Sequence, residues 1–420
     1  MIVVLIFFFG IALILAVNYP NYFLLFYILA TTKFLGFLDP STFVVGGVEL
    51  GYFMLNLIAV FGVLFQPKWY IISWRMLWFI CFILIMLLYG IVKPFLDGNS
   101  SLFHGFIASK EIWFYFIFLY VIVYQHKIDN LQLLKFIKIL GIYLSVVYII
   151  GNLNTRIVPP IYYNGSHVRT FFPTYISLSI FIYAIRIKYD AVKSLKDRII
   201  VIILFLGLIL ASHFSLTIMT IVGFVLFKYV YNKRLELNAF ILTRFGVIVI
   251  FVGGIVLASF TSIYNKLITN VEGIITGEDN ALSSRNVYNQ FRWEAIEKKK
   301  ELGYGFIHQS SKFMKEIKLQ GTNRFMERFT VIDSGYIDLL IKFGYIGTII
   351  ITTVFVGYYS QGFFKNHKNP LSLAMSIYLM QYVFMNYTWS VFTFAHGIVP
   401  GIIAYYLLIT SNDVEPEVSI

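Results

Sequence analysis

Long apolar runs, separated by short polar breaks, follow one another along almost the whole chain. Most of them contain about 15–22 residues, close to the length that a helix needs to cross ~30 Å of hydrocarbon. Runs such as Met76–Val92 and Val247–Phe260 are apolar on every side. Strands of a membrane barrel would instead alternate apolar and polar residues. The pattern therefore predicts membrane-spanning helices.

The positions of the runs predict about thirteen spans, within a range of 12–14. The number of spans is given as a range because Lys33 and Asp39-Pro40 interrupt the apolar pattern of the first fifty residues. Met1–Val17 has no basic n-region and no small-residue cleavage site, so we predict a retained first span rather than a signal peptide. The predicted spans are 2–17, 22–38, 50–65, 76–92, 112–125, 136–151, 171–186, 199–211, 214–230, 245–262, 336–359, 371–387 and 390–410.

Composition excludes a soluble globular protein. Of the 420 residues, 59% are hydrophobic and only 13% are charged, against about 25% charged in soluble domains. Mean hydropathy is +0.78, which leaves too little polar surface to cover a water-soluble molecule of this size. The expected fold class is an all-α, polytopic integral membrane protein. The single cysteine, Cys81, lies in an apolar run and indicates no disulfide.

The formal net charge of +12 does not indicate a nucleic-acid partner, because no nucleic-acid-binding module is present. The excess lies largely in alternate short loops, as the positive-inside rule predicts for cytoplasmic loops. These loops contain Lys68 and Arg75, then basic residues within 127–138, 186–198, 228–244 and 365–368. The segments 93–111, 152–170 and 263–335 are then expected on the outer side.

Segment 263–335 is the longest hydrophilic stretch and contains 11 basic and 9 acidic residues. Strong helix formers predict a helix over Gln290–Leu302, ended by Gly303 as a C′ glycine. A second helix, capped by Ser310 or Ser311, is predicted to run through Leu319 with an apolar face suited to a membrane surface. The expected organisation is an N-terminal bundle (1–262), this long, partly helical loop (263–335) and C-terminal spans with a short tail (336–420).

Two residues of the long loop are the first candidates for chemistry. Arg292 offers a planar fork of donors suited to phosphate, although a solvated helix charge is the plainer alternative. Asp333 precedes a span at the predicted outer surface, where a carboxylate could accept a proton from a hydroxyl. Asp333 could equally be the N-cap of the following helix. His308 is an alternative base.

Further basic residues on the outer side could bind an anionic lipid headgroup or a diphosphate, or could simply be loop cations. His213, flanked by serines between two apolar runs, is a functional candidate because polar residues near membrane depth often are. No spacing typical of a metal site, a P-loop or a dinucleotide site is present, so no metal and no cofactor are expected. The candidate diphosphate or substrate ligands are Arg156, His167, Arg169, His213, Arg285 and Arg328.

Three patterns resemble one family. They are FRWEAI followed by GYGF at 291–306, DSGYIDLLIKFGYIG at 333–347 and VRTFFPTYISLSI at 168–180. In their order along the chain, with ten residues between Arg292 and Gly303, they resemble the Wzy-type O-antigen polymerase and O-antigen ligase superfamily. The sequence departs from that pattern at Asp333, where many relatives have histidine, and at His213, where many have a Ser-Arg pair. No arginine-ten-residues-glycine spacing starts at Arg156 or Arg169. These departures favour a polymerase over a ligase.

The resemblance implies a GT-C-like membrane glycosyltransferase in the bacterial inner membrane, with its active site facing the periplasm or outside. It implies substrates made of oligosaccharide repeat units on undecaprenyl diphosphate, and an inverting, metal-independent transfer. Arg292 and Arg169 would then balance the departing diphosphate, and Asp333 or His308 would serve as the base. Membrane lipids, a chain-length regulator and a flippase of the same pathway are the expected partners. Alternatives are an O-antigen ligase-type transferase and a lipid-linked oligosaccharide transporter or flippase.

Overall fold

The computed structural model describes most of the predicted membrane region and a central part of the long loop. The predicted span 245–262 and much of segment 263–335 lie outside the described residues. The described residues are 2–32, 44–45, 48–65, 73–153, 162–164, 167–169, 172–189, 195–211, 213–233, 292–308, 311–314, 334–364 and 369–411.

Helices account for nearly all of the described backbone. Two short antiparallel hairpins pair β1 (Val44–Val45) with β2 (Val48–Glu49), and β3 (Tyr162–Asn164) with β4 (His167–Arg169). A helix over 292–298, here called the loop helix, lies in the long loop. The other helices are α1 (Ile2–Asn18), α2 (Pro20–Thr31), α3 (Leu50–Leu64), α4 (Trp74–Leu96), α5 (Leu102–Ala108), a 3₁₀ helix (Ile112–Phe116), α6 (Ile117–Val123), α7 (Asn130–Leu153), α8 (Thr174–Tyr189), α9 (Leu195–Leu210), α10 (Phe214–Lys233), α11 (Gly335–Tyr359), α12 (Gln361–Phe364), α13 (Pro370–Met385) and α14 (Ala395–Ile409).

Three of the described helical segments are long and apolar enough to cross a membrane: Trp74–Leu96, Asn130–Gly151 and Gly335–Phe364. A fourth span arises if α5 and Ile112–Val123, bent by 69° at their junction, cross together. Several shorter apolar helices pack around them, and every predicted span on described residues overlaps a helix. The chain is therefore an all-α, multi-pass membrane protein, as predicted.

Buried tyrosines hold the centre of the bundle together. The α6 residue Tyr120 donates its hydroxyl to the carbonyl of Ala16 at 2.8 Å, and Tyr124 donates to the carbonyl of Gly62 at 2.8 Å. These bonds satisfy polar groups that would otherwise be costly inside an apolar core. They tie α6 to both α1 and α3.

Small residues allow α7 to approach its neighbours closely. A Cβ on Gly141 would lie 2.0 Å from the hydroxyl of Ser179 in α8, and one on Gly207 of α9 would lie 2.4 Å from Ser145 in α7. Ser179 also donates to the carbonyl of Ile137 at 2.8 Å. Close contact through small residues and side-chain hydrogen bonds is typical of helix packing in lipid.

Two of the long helices are irregular at the same end of the bundle. α4 contains Pro94 in its last turn, and α11 is interrupted at Gly344, where φ is 64° and ψ is −171°. A Cβ at Gly344 would lie 2.3 Å from the carbonyl oxygen of Glu301 in the long loop. Both the backbone angles and the available space therefore require glycine at this position.

We expect Gly344→Ala to destabilise the protein by at least about 2 kcal/mol, because it combines a strained backbone with a clash against Glu301. The apparent melting temperature of the full chain in detergent measures this effect. Gly357→Ala, in the same helix, is the control because no atom lies within 4 Å of its added Cβ. That control is expected to change stability by no more than about 1 kcal/mol. Equal melting temperatures for the two variants would contradict the prediction.

Candidate functional site: a loop segment docked at two helix breaks

The loop helix ends in a pair of left-handed glycines. Gly303 has φ 65° and donates its N–H to the carbonyl of Lys299 at 2.9 Å, and Gly305 has φ 75°. The predicted helix and its C′ glycine are thus confirmed, with the regular helix covering 292–298 and turns up to residue 302. The two glycines turn the chain towards α11 and α4.

The first docking contact uses carbonyls that the break in α11 sets free. Tyr304 donates its N–H to the carbonyl of Ile341 at 2.7 Å, and Gly305 donates to that of Lys342 at 2.8 Å. In an uninterrupted helix these carbonyls would accept from the residues four positions later. The turn at Gly344 removes those partners, and the loop backbone replaces them.

The amides of α11 beyond the break are also bonded to the loop. Tyr345 donates its N–H to the carbonyl of Lys300 at 2.7 Å, and Ile346 donates to that of Glu301 at 3.3 Å. The loop and the broken helix therefore exchange hydrogen bonds in both directions. Such exchange is needed because unpaired backbone groups within a membrane bundle are costly.

The second docking contact uses the proline of α4. Pro94 has no N–H, so it cannot bond the carbonyl of Gly90 four residues earlier. Phe306 of the loop donates to this carbonyl at 2.7 Å. Its ring lies against Gly90, where a Cβ would come within 2.3 Å of it. Tyr89 also donates its hydroxyl to the carbonyl of Leu302. Residues 300–306, here called the docked segment, therefore bridge α4 and α11.

A small apolar cluster separate from the main core holds the loop helix in place. Ala295 and Ile296 of the loop helix pack there with Tyr304 and with Ile341 of α11, together with Leu340, Phe313 and Met314. Ser311 caps the turn that contains Met314, accepting from its N–H at 3.3 Å. Phe313 is thus buried against protein, whereas we had expected its helix to lie on a membrane surface. Its packing partner is the ring of Tyr304, 4.3 Å away between centroids.

Arg292, the first residue of the loop helix, is only 5% exposed. The alternative that it is a solvated helix charge is therefore wrong. A guanidinium is rarely buried without partners that compensate its charge. Arg292 is thus a structural part of the loop as well as a candidate ligand for phosphate.

An ion cluster ties the long loop, just before the docked segment, to the end of α4. Asp97 accepts hydrogen bonds from the ammonium groups of Lys93, at 2.6 Å, and of Lys299. The backbone carbonyl of Lys299 in turn accepts the N–H of Gly303. Burial alone would raise the pKa of Asp97, but the hydrogen bonds and charges of Lys299 and Lys93 lower it below its ordinary value. The carboxylate therefore stays ionised and links α4 to the loop at neutral pH.

A buried ion pair lies in the first half of α11. Lys342 donates to Asp338 at 2.7 Å, and the Asp338 side chain is fully buried. The Lys342 ammonium is 5.9 Å from the ring centres of both Phe306 and Phe394. It therefore lies between the docked segment and the start of α14, where cation–π attraction favours both contacts.

A stack of three aromatic rings lies next to Phe394. Trp389 lies between His213 and His396, with centroid distances of 4.5 Å and 4.2 Å and interplanar angles of 23° and 12°. Phe394 joins the stack through His396 at 5.7 Å. His213 is thus connected to the docked segment through this stack and Lys342, which places the start of α10 at the same end of the bundle.

A second histidine pair lies beside the docked segment. The rings of His104 in α5 and His308 are nearly parallel, 4.6 Å apart between centroids. Nδ1 of His104 lies 3.0 Å from the hydroxyl of Ser101. Burial, and then the neighbouring His104, lower the pKa of His308 below its ordinary value. The stack therefore favours the neutral form of His308.

The predicted candidates fall into three groups. Arg292, His308 and His213 lie at one end of the bundle, in or near the docked segment. Arg169 and His167 lie in β4, opposite Tyr162 and Asn164, and their side chains are outside the description. The candidates outside the described residues are Arg156, Arg285, Arg328 and Asp333. The N-cap position of α11 is Ser334, not Asp333.

Several residues of this end were not predicted. The pairs Lys93–Asp97 and Asp338–Lys342 have the i,i+4 spacing of helical ion pairs, so a search for that spacing would have found them. Trp389 and His104 have no comparable signal, because each stacks on a histidine, His213 or His308, that is more than a hundred residues away in sequence. The described residues contain no cluster of three or more His, Cys, Asp or Glu side chains that could hold a metal ion.

Comparison with known proteins bears on this same region. Residues 199–352 match the family model Wzy_C, described as O-antigen ligase. Over this region, about a third of its length, the chain is similar to the O-antigen ligase and polymerase superfamily. The matched region runs from α9 to the second half of α11 and includes the docked segment and Gly344. Of the two helices to which this segment docks, α4 lies outside the match. No curated protein matches the chain.

Members of this family are membrane glycosyltransferase-like enzymes, and the match over residues 199–352 confirms the resemblance predicted from the sequence. The matched region includes Arg292, His213, His308 and Asp333 among the candidates. The family match does not distinguish a polymerase from a ligase, and it names no donor.

We expect Pro94→Ala to loosen the docked segment. The new N–H at position 94 would compete with Phe306 for the carbonyl of Gly90. Hydrogen–deuterium exchange should then accelerate at residues 303–306 by about tenfold, while the last turn of α4 becomes better protected. Exchange in α7 is the internal reference. Unchanged exchange at 303–306 would contradict the role assigned to the proline.

We also expect the docked segment to loosen in acid. Because the folded protein favours neutral His308, the unfolded chain binds its proton more readily. The contribution of neutral His308 to the stability of the folded protein is therefore present above the ordinary histidine pKa of about 6.5. It is lost as the pH falls through and below that value. Exchange at 304–308, corrected for the intrinsic rate, should be faster at about pH 5 than at about pH 7.5. His308→Phe, which keeps a stacking ring, should reduce this difference; an undiminished difference would contradict the assignment.

Proposed function

We propose that this chain is a polysaccharide polymerase. In this proposal it joins oligosaccharide repeat units carried on undecaprenyl diphosphate, for O-antigen, capsule or exopolysaccharide. A hydroxyl of one unit attacks the anomeric carbon of the other from the face opposite the leaving group. The bond to undecaprenyl diphosphate breaks, and that diphosphate leaves with the bonding electrons. The hydroxyl proton passes to a base of the enzyme.

The observation that carries the proposal is the docking of the segment that follows Arg292. An almost fully buried arginine begins a helix whose end is fixed by backbone bonds to α11 and to α4. A diphosphate leaving group needs fixed positive charge where negative charge develops. A preorganised guanidinium supplies it with the bidentate geometry that phosphate favours.

Other cations at the loop end of the bundle support the same chemistry. Lys299 and Lys93 share Asp97, and Lys342 pairs with Asp338. Each lysine is thus held at the loop end of the bundle by a carboxylate. Arg156, Arg169, Arg285 and Arg328 remain proposed diphosphate or substrate ligands from the sequence, as do His167 and His213.

The proposed base is Asp333 or His308. The lowered pKa of His308 keeps its imidazole neutral at pH 7 and so able to accept a proton. Asp333 directly precedes Ser334, whose hydroxyl donates to the carbonyl of Tyr387 at 2.7 Å. No metal ion and no cofactor enter this proposal.

We place the reaction on the outer face of the bacterial inner membrane. In the sequence, the short loops rich in Lys and Arg alternate with the segments predicted on the outer side, which supports a cytoplasmic position for these loops. A flippase that delivers the lipid-linked units and a chain-length regulator are the proposed partners of the same pathway. The prenyl chains of the substrates would lie in the lipid beside the apolar helices.

An O-antigen ligase-type transfer is the second candidate, because the matching family model is described as O-antigen ligase. The donor would then be a finished glycan on the same lipid, moved to a different acceptor. The two candidates differ in what accumulates when the protein is lost. Loss of a polymerase leaves single repeat units, whereas loss of a ligase leaves long lipid-linked chains.

We expect Arg292→Ala to reduce chain lengthening by about a hundredfold, because transition-state charge loses its fixed partner. Arg292→Lys keeps a charge but not the planar fork, and should restore only part of the activity. The measurement is a gel of surface and lipid-linked glycan from a deletion strain complemented with each variant.

Lys298→Ala is the matched control, because Lys298 is exposed on the same loop helix. It should restore the full ladder of chain lengths. Protein level and melting temperature must be equal across the variants, since Arg292 is buried. A ladder that persists in the deletion strain, or in Arg292→Ala at normal protein level, would overturn the proposal.

A further inference from the structure

A cavity of about 200 Å³ lies at the end of the bundle away from the docked segment. It forms where α4 begins, α11 passes into α12, α13 begins and α14 ends. The described residues that line it include one ionised side chain, Arg75, and no carboxylate. A cavity with a single positive charge of this kind favours an anion.

The cavity and the docked segment are at opposite ends of the same helices. Along α4, Arg75 and Gly90 are fifteen residues apart, which corresponds to about 22 Å of helix. α14 likewise begins near the docked segment at His396 and reaches the cavity at Leu408. The cavity is therefore separate from the candidate site and faces the other side of the bundle.

Hydrogen bonds hold Arg75 in position at the cavity. Its Nη1 donates to Oε1 of Gln361 at 3.0 Å, and its backbone carbonyl accepts from the hydroxyl of Tyr358 at 3.0 Å. Gln361 donates through Nε2 to the hydroxyl of Tyr405 at 3.3 Å. A guanidinium has five N–H donors, of which the bond to Gln361 uses one. The arrangement offers donors for the oxygens of an anion.

Ser372 adds a second, independent indication of a ligand. It lines the cavity and is fully buried, yet its hydroxyl has no hydrogen-bond partner among the described residues. Buried hydroxyls in folded proteins nearly always have such a partner. The hydroxyl is enclosed in this side-chain position, and rotation of the side chain into the cavity would let an oxygen of a bound ligand provide this partner.

The start of α4 contributes as well. Ser73 caps this 23-residue helix, accepting from the N–H of Met76 at 3.4 Å. Ser73, Arg75 and Met76 all line the cavity, so the positive end of the helix dipole faces it.

The surface beside the cavity has the character of a lipid–water boundary. Trp74 and Trp78 are 72% and 59% exposed on α4, and their rings meet edge to face at 6.0 Å. Exposed tryptophans are enriched at the level of lipid headgroups. Leu77 next to them is also exposed, which offers apolar contact for an acyl chain.

We propose that this cavity binds the phosphate group of an anionic membrane lipid. Arg75 and the hydroxyls of Ser372 and Tyr405 contact the phosphate oxygens, and the acyl chains lie along the exposed face of α4. The site ties α4, α11, α13 and α14 together at the end opposite the docked segment. It is independent of the proposed glycosyl transfer.

The test uses the full chain, stripped of lipid in an uncharged detergent, with lipid binding followed by native mass spectrometry. Phosphatidylglycerol is the probe, and diacylglycerol with the same acyl chains lacks only the phosphoglycerol headgroup. We expect wild-type protein to bind phosphatidylglycerol at least about tenfold more tightly than diacylglycerol. Arg75→Gln should weaken phosphatidylglycerol binding by about tenfold, and Ser372→Ala by several-fold.

Lys127→Gln is the matched control, because it removes an exposed cation that does not line the cavity. It should leave the affinity unchanged. Equal affinities of wild type, Arg75→Gln and Ser372→Ala for phosphatidylglycerol would overturn the proposal. Wild-type binding of diacylglycerol as tight as that of phosphatidylglycerol would also overturn it, even if both variants failed to fold.

Competition with inorganic phosphate tests whether the bound anion is a lipid headgroup or a free phosphate. If it displaces phosphatidylglycerol only at concentrations far above those of the lipid, the lipid is the ligand. If it binds wild-type protein as tightly as the lipid and loses affinity in Arg75→Gln, the cavity holds a soluble phosphate and the lipid assignment is wrong.

Discussion

The need to pair backbone groups inside an apolar bundle determines the loop end of this protein. A helix that crosses lipid normally satisfies every N–H and carbonyl internally. α4 and α11 both depart from that rule, one at Pro94 and the other at Gly344. The carbonyls and amides released there are bonded to residues 300–306 of the long loop. The breaks are thus the attachment points of the loop rather than defects in the helices.

The position of the loop helix, and with it that of Arg292, depends on this attachment. The left-handed glycines let the chain turn into the gap between the two helices, and the apolar cluster around Ile296 then fixes the loop helix. Arg292 is buried as a consequence, at the start of a helix whose far end is immobilised. At the same end of the bundle, Asp97 pairs with Lys93 and Lys299, and Asp338 pairs with Lys342. A rigid cationic end suits the departure of a diphosphate better than a mobile loop would, since no reorganisation is needed during reaction.

The two ends of the bundle share helices but differ in character. At the loop end, cations are paired with carboxylates and stacked with aromatic rings. At the other end, Arg75 faces a cavity whose described lining contains no carboxylate. Because α4, α11 and α14 reach both ends, occupation of the cavity and the position of the docked segment act on the same helices. A lipid bound at one end would thus stabilise the frame on which the loop is docked.

The sequence by itself determined the fold class, because apolar runs of this length have few stable arrangements other than helices across lipid. It also determined the loop helix and its terminal glycine, since local propensity and capping decide both. The family resemblance was evident from the order of FRWEAI, GYGF and DSGYIDLLIKFGYIG, and the match over 199–352 confirms it. Tertiary structure alone decided that Arg292 is buried, that Phe306 bonds to Gly90, and that Trp389 lies between His213 and His396. These contacts join residues far apart in the chain, and which carbonyl a broken helix leaves open for a distant amide depends on packing rather than on local pattern.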